Sequence, residues 1–384
     1  MPFFSFSLSE ISPSIKKFNI IENNLYFSKN TQLWKLLNKL SKSNINSLNY
    51  EKRHSIKNMG KKILFCLPPS MGIGDAIEYA SAIKAISDVN IFEKVAVAFV
   101  EEYDFLFKNY FNLENNFPYI INKSDLEKFD TIFHLTFEIE SFVSQKYSRS
   151  DIYNEIINFF KIKDIKNKHI KLNKNKKITK ISIFPLSNSP IRTMPIHILT
   201  QLTELLIKQF NIEIFLNQNS EVSQLFYYKI RNKNLTIIDP ENIQDLISAI
   251  QKIDYGVFMD SGPLHIAKMF NKKGVLVETS VSSKILLKNY KMIKGIENSF
   301  SSFYCKAPCG LTDIFNYNNK HGCYDSLKID SAQIKRDNYQ NIMHRGVKNH
   351  YIKNFTKPVG CVSSLNVQNI YNAIMNELSI CEES

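Results

Sequence analysis

The stretch Tyr255-Gly-Val-Phe-Met-Asp260-Ser-Gly-Pro-Leu-His265-Ile-Ala-Lys-Met269 constrains this chain most. Tyr255 to Met259 is an unbroken apolar run, the pattern of a parallel strand buried on both faces, and it ends on a carboxylate. Ser261 and Gly262 turn the chain, and Pro263 occupies a position where the first turn of a helix accepts proline. A helix opening there directs unpaired N–H groups and its positive end above the sheet edge, an arrangement suited to phosphate or diphosphate. His265 falls in that first turn. The same sequence also suits an ordinary capped strand-to-helix turn.

Strands and helices alternate on either side of this stretch, which implies parallel sheets covered on both faces. Lys62 to Leu67 reads as a strand running into Pro68-Pro-Ser70-Met71-Gly72-Ile-Gly74-Asp75, and Ala76 to Ile86 reads as a helix. The glycines suit a tight turn and close approach to a ligand, and Asp75 falls at a helix start on the carboxyl edge of a sheet, where open α/β folds bind ligands. An N-cap is the simpler role for that aspartate. Gly-x-Gly-Asp lacks the third glycine of a dinucleotide fingerprint. Further strands are expected at Val95–Val100, Tyr119–Asn122, Thr131–Phe137, Ile181–Phe184, Ile212–Leu216, Leu235–Ile238 and Val275–Val277, and a hydroxyl-rich turn at Thr279–Ser283.

Three domains follow from this pass. Residues 1–60 form a helical extension, carried by the apolar spacing of Thr31–Leu40. Residues 61–165 form a first lobe. Residues 166–384 form a second, ending in the helix Val367–Leu378; the Lys- and Asn-rich stretch from Lys161 to Lys180 links the two, and the resemblance set out below makes the first the acceptor side and the second the donor side, with the last helix returning toward the first lobe.

The 384 residues suffice for two cores, and 44% hydrophobic against 22% charged residues fits a globular protein. No apolar run reaches the roughly 18 residues of a membrane span, and the N-terminus lacks the pattern of a signal peptide, so a cytoplasmic protein is expected. A net charge of +13 suits anionic partners, although Lys, Asn and Ile are abundant together as in products of AT-rich genomes. No arginine-rich tract is present, and nucleic acid is not an expected partner. Cys305, Cys309, Cys323 and Cys361 include no pair at two-residue spacing; buried thiols are the expectation and a structural metal cluster the alternative.

Three motifs in order carry a family resemblance. Ser-Met-Gly-Ile-Gly-Asp75 followed by a helix resembles the N-terminal motif of family 9 glycosyltransferases, the heptosyltransferases of lipopolysaccharide synthesis. Phe-Pro-Leu-Ser-Asn-Ser-Pro-Ile-Arg192-Thr-Met-Pro195 resembles that family's basic turn, with Met194 where the family commonly has Trp. Met-Asp260-Ser-Gly-Pro-Leu-His265 resembles its donor signature, Asp-Thr-Gly-x-x-His, and the segment from Cys305 to Cys323 is similar to its cysteine-containing tail. The resemblance runs from about Lys61 onward. It implies an α/β fold of two Rossmann-like lobes, the GT-B architecture, and transfer of a sugar from a nucleotide-diphosphate donor, ADP-linked heptose among the candidates, to a cell-envelope glycolipid or saccharide acceptor. Peripheral contact with the inner face of the cytoplasmic membrane goes with such an acceptor.

On this reading Asp75 is the base, with Ser70, Met71, Gly72 and Gly74 forming an acceptor-side loop. Arg192 holds the diphosphate, helped by Asp260, Ser261, Gly262, Pro263, Leu264 and His265, and Glu221 accepts from the ribose hydroxyls. No Asp-x-Asp motif occurs, so no cofactor or metal is expected in the chemistry. A non-catalytic nucleotide-sugar-binding or scaffold protein and a nucleotide-sugar epimerase are the competing readings.

Overall fold

The computed structural model describes residues 24–26, 44–47, 60–67, 72–99, 103–114, 120–122, 128–134, 152–162, 177–187, 189–216, 224–225, 235–301, 306–310, 356–358 and 360–383. The chain divides into two compact units: Met1–Ser141 with Ser150–Lys168, and Phe142–Arg149 with His169–Ser384.

The first unit contains β1 (Asn24–Tyr26), β2 (Asn44–Ser47), β3 (Lys62–Cys66), α1 (Ile73–Asp88), β4 (Lys94–Ala98), α2 (Asp104–Phe111), β5 (Ile120–Asn122), β6 (Thr131–His134) and α3 (Ile152–Phe159). Its main sheet has the order β2-β6-β3-β4, all parallel. Strand β3 lies inside the sheet, and its Ile63, Leu64 and Phe65 are fully buried, as its apolar sequence requires. Within the stretch read as a helical extension, the described residues include two short strands: β2 is an edge of this sheet, and β1 pairs antiparallel with β5. Asn-Ile-Asn-Ser gives too short a pattern to announce a strand, and it is the long-range pairing with β6 that makes it one. The helix expected at Thr31–Leu40 lies outside the described residues.

The second unit contains β7 (Lys180–Phe184), α4 (Ile196–Leu206), β8 (Asn211–Phe215), β9 (Leu235–Ile238), α5 (Ile243–Lys252), β10 (Tyr255–Phe258), α6 (Gly262–Met269), β11 (Lys273–Val277), α7 (Ser283–Leu286), β12 (Ile293–Ile296), the short strands β13 (Phe300–Ser301) and β14 (Lys306–Ala307), and α8 (Val367–Glu383). Its parallel sheet runs β12-β11-β10-β7-β8-β9. Ile181, Ile183, Val257, Met259, Val275 and Val277 belong to one core with Leu199, Leu202 and Leu206 of α4 and Ile370 and Ile374 of α8. In-register alternation sends Phe184 and Phe258 the other way, where their rings stack 5.0 Å apart, with Phe215 stacked on Phe184 at 4.2 Å. Helix α8 thus completes the core of the second unit, and Tyr371 Oη accepts from Gln209 Nε2 at 3.0 Å.

A latch closes the start of the first sheet. Asp130 Oδ2 accepts from the Lys61 and Lys62 N–H groups, at 2.7 and 2.9 Å, tying the residue before β6 to the start of β3. Gly60 is in the left-handed region, φ +64°, and a Cβ there would overlap the Asp130 side chain. The two donors, Lys62 first, hold the Asp130 carboxyl below its usual range. A carboxyl depressed on folding stabilises above its unfolded pKa, and that contribution is lost as pH falls through the folded value. Asp130→Asn should therefore lower the thermal midpoint at pH 7, and the gap from wild type should close below about pH 4, as followed by circular dichroism.

Candidate functional site

The order β9-β8-β7-β10-β11-β12 corresponds to 3-2-1-4-5-6, with a topological switch between β7 and β10. There the connections leave in opposite directions and open a crevice at the carboxyl edge, the place where open α/β sheets bind ligands. The loops after β7 and β10 carry Arg192 and Asp260, and the fold brings the two together. Arg192 Nη1 lies 3.4 Å from Asp260 Oδ2 and donates to the Asp260 carbonyl at 3.1 Å, with both side chains largely buried.

Arg192 owes its place to the loop around it. It ends a 3-10 turn, Pro190–Arg192, which proline's fixed φ favours. The Thr193 hydroxyl sits at the hub: it accepts from Ser187 N at 3.1 Å and lies 3.0 Å from Ser189 O and 3.2 Å from Ser187 O. Arg192 N donates to Ser189 O, and Met194 N to Pro185 O. Met194, where the family resemblance called for Trp, is fully buried in the core, so it anchors the loop.

Helix α6 opens at Gly262 after Ser261, with Pro263 in its first turn. The Ser261 hydroxyl does not cap the helix; it donates back to Met259 O at 3.4 Å. The first turn, with Leu264 buried and His265 half-buried, therefore presents a positive helix end without a side-chain cap beside Arg192 and Asp260. Together these groups make a compact site for an anionic group.

The sequence singled out Thr279–Ser283 only as a turn rich in hydroxyls, whereas its organising residue is Glu278, immediately after β11. This buried carboxylate accepts from Ser283 N at 2.6 Å and from the Ser283 hydroxyl, with Ser282 Oγ at 3.5 Å. The close approach of Ser283 is why β12 has a glycine at 295, where a Cβ would overlap it. A glutamate ending an apolar strand and followed by serines was the available signal. Asp260 and Glu278 each lie two residues beyond the register pair Phe258–Leu276, so acidic residues end both adjacent strands.

In the first unit the loop after β3 also leaves at a switch, between β3 and β6. Asp75 is half-buried in the first turn of α1, and its Oδ2 accepts from Gly72 N at 3.1 Å. Gly72 is extended, φ −79°, and Gly74 is helical, so neither glycine is there for a left-handed turn. Ser70, Met71, Glu221, Cys305 and Cys323 lie outside the described residues. Among the described residues, no group of three or more metal-ligating side chains occurs, and no helix is long and apolar enough to cross a membrane.

Neither a family model nor a curated protein matches the sequence. Among solved structures, the chain is similar to the iron-containing dodecameric glycosyltransferase TibC from enterotoxigenic E. coli H10407: 10% identity, 85% of this chain and 78% of that one covered, TM-score 0.50. It is also similar to E. coli ADP-heptose lipopolysaccharide heptosyltransferase II, at 12% identity over 61% of this chain and 89% of that one, TM-score 0.42. A family 9 glycosyl transferase from Veillonella parvula is similar at 13% identity over 59% and 82%, TM-score 0.42. What is shared is the fold. Two Rossmann-like units, each with a parallel sheet, make the GT-B architecture that the motifs led us to expect.

The Thr193 clamp gives a direct check on how the site is held. Thr193→Val keeps the shape but leaves Ser187 N without its acceptor in a buried loop, and should cost about 1–3 kcal/mol in urea unfolding.

Proposed function

We propose that this chain is an inverting, metal-independent glycosyltransferase that moves a sugar, a heptose being the leading candidate, from a nucleotide-diphosphate donor to a cell-envelope glycolipid or saccharide acceptor. The observation that carries the reading is the meeting of Arg192 and Asp260 beside the first turn of α6, at the switch point of the second sheet. Displacement at an anomeric carbon needs the departing diphosphate stabilised, and a guanidinium with helix N–H groups supplies that without a metal. Asp260 orients the guanidinium, His265 adds a donor, and Glu221 takes the ribose hydroxyls. The similar TibC is described as a glycosyltransferase, which agrees with this reading. The acceptor places the protein in the cytoplasm, peripheral on the inner face of the membrane.

Asp75 is the proposed base, taking the acceptor hydroxyl proton as the new bond forms. The hydrogen bond from Gly72 N favours a second reading, in which Asp75 only caps α1 and the protein binds nucleotide-sugar without turnover. Asp75→Asn separates them, because an asparagine oxygen can still accept from Gly72 N but cannot take a proton. For the transferase, turnover should fall by about 10²–10⁴ with the thermal midpoint and nucleotide binding unchanged. An unchanged turnover would remove Asp75 from the chemistry.

A thermal-shift series with ADP, UDP and GDP tests the donor site. One nucleoside diphosphate should raise the midpoint equally with and without EDTA, and Arg192→Ala should abolish the shift. No shift with any of the three would count against a donor site.

The thiols are a separate matter from the chemistry. Cys309 is half-buried and Cys361 buried, and the β13–β14 hairpin, with Cys305 and Cys309 close by in sequence, packs on the turn carrying Cys361. Four thiols suit a soft structural metal, and TibC is described as iron-containing. We propose Cys305, Cys309, Cys323 and Cys361 as its ligands. Elemental analysis of the purified protein should find about one iron or zinc per chain, lost in Cys361→Ser.

A further inference from the structure

The hydrogen bonds made by the loop's backbone and the Thr193 hydroxyl join residues between Pro185 and Met194 and fix the loop's internal shape, while the Arg192 side chain reaches out to the Asp260 carbonyl. They do not fix how the loop stands over the sheet edge, which needs contacts from elsewhere in the chain. Such contacts come from a turn far along the sequence, Gly360–Ser364. Its 3-10 segment, Gly360–Val362, packs on the 3-10 turn Pro190–Arg192. Cys361 Sγ lies 3.8 Å from the carbonyl of Ile191, the residue before Arg192, and both side chains are buried. Val362 is in the same core as Met194, two residues beyond Arg192. The arginine is therefore bracketed on both sides by one distant turn.

That turn is itself rigidly held. Gly360 is left-handed, φ +63°, and Ser363 N donates to its carbonyl at 3.0 Å. Asn298 Nδ2 donates to the Cys361 carbonyl at 2.8 Å, and Ser364 Oγ lies 2.9 Å from the same carbonyl and 3.1 Å from Asn298 Oδ1. Asn298 belongs to the segment leading from β12 into β13. The restraint thus passes from the far edge of the sheet, through Asn298 and the Cys361 turn, to the backbone carrying the guanidinium.

We infer that Asn298 and the Gly360–Ser364 turn are positioning elements for Arg192, setting the affinity of the site for the donor diphosphate without touching it. This rests on the donor-site reading above.

Asn298→Ala tests it while leaving all six cysteines in place. With ADP as probe in calorimetric titrations, the variant should bind about two- to tenfold more weakly than wild type, as the loss of one hydrogen bond allows. In an Arg192→Lys background the same substitution should cost little further, because the group it positions is gone. Ser364→Ala should act in the same direction, and gives a second route should Asn298→Ala fold poorly. Metal content should be unchanged in both. An unchanged ADP affinity would overturn the inference, as would an equal loss in both backgrounds or a loss that follows metal content. Failure of the wild-type protein to bind ADP, UDP or GDP would overturn the donor-site reading and this inference with it. Wild-type binding that weakens in Arg192→Lys but not in Asn298→Ala would overturn this inference alone.

Discussion

The pairing of β7 with β10 is the contact on which the second unit depends. The two strands are far apart in sequence, with α4, β8, β9 and α5 among the elements between them, yet they lie side by side in parallel, Tyr255 opposite Ile181 and Phe258 opposite Phe184. A slip of one residue would exchange the faces, sending Phe258 toward α4 and α8 and Val257 toward the aromatic stack. Close packing on both faces forbids that. The same register sets the loops that follow at equal height, and this is why an arginine from one and an aspartate from the other meet at the sheet edge.

Each unit uses the loop after its first Rossmann strand in the same way and with opposite charge. The loop after β3 delivers Asp75 into the first turn of a helix, and the loop after β7 delivers Arg192 just before one. In each unit, therefore, a charged side chain stands beside the start of a helix at the carboxyl edge of the sheet, a carboxylate in the first and a guanidinium in the second.

Much of this was legible in the chain, for identifiable reasons. Leu235–Ile238 was read to its ends because its residues are apolar or β-branched and turn residues bound it. Arg192, Asp260 and the opening of α6 were legible because proline and glycine mark their places. Strand β2 was not anticipated, since it owes its conformation to a partner strand far along the chain. The Gly72 and Gly74 positions were read as a tight turn, but the helix begins earlier than the apolar periodicity suggests and absorbs Gly74. The Thr193 clamp and the Glu278 carboxylate escaped notice because a hydroxyl or an acid becomes an organising group only through what surrounds it, and spacing does not report that.

The place of α8 in the core has a consequence for how the protein is made. Strands β7, β10 and β11 bury one face against Ile370, Ile374 and Leu378, residues that leave the ribosome long after the strands themselves. Until they arrive, Ile181, Val257 and Val275 have water where their partners should be, and the apolar face stays uncovered. The second unit must therefore wait for its last helix before its sheet is covered on both faces.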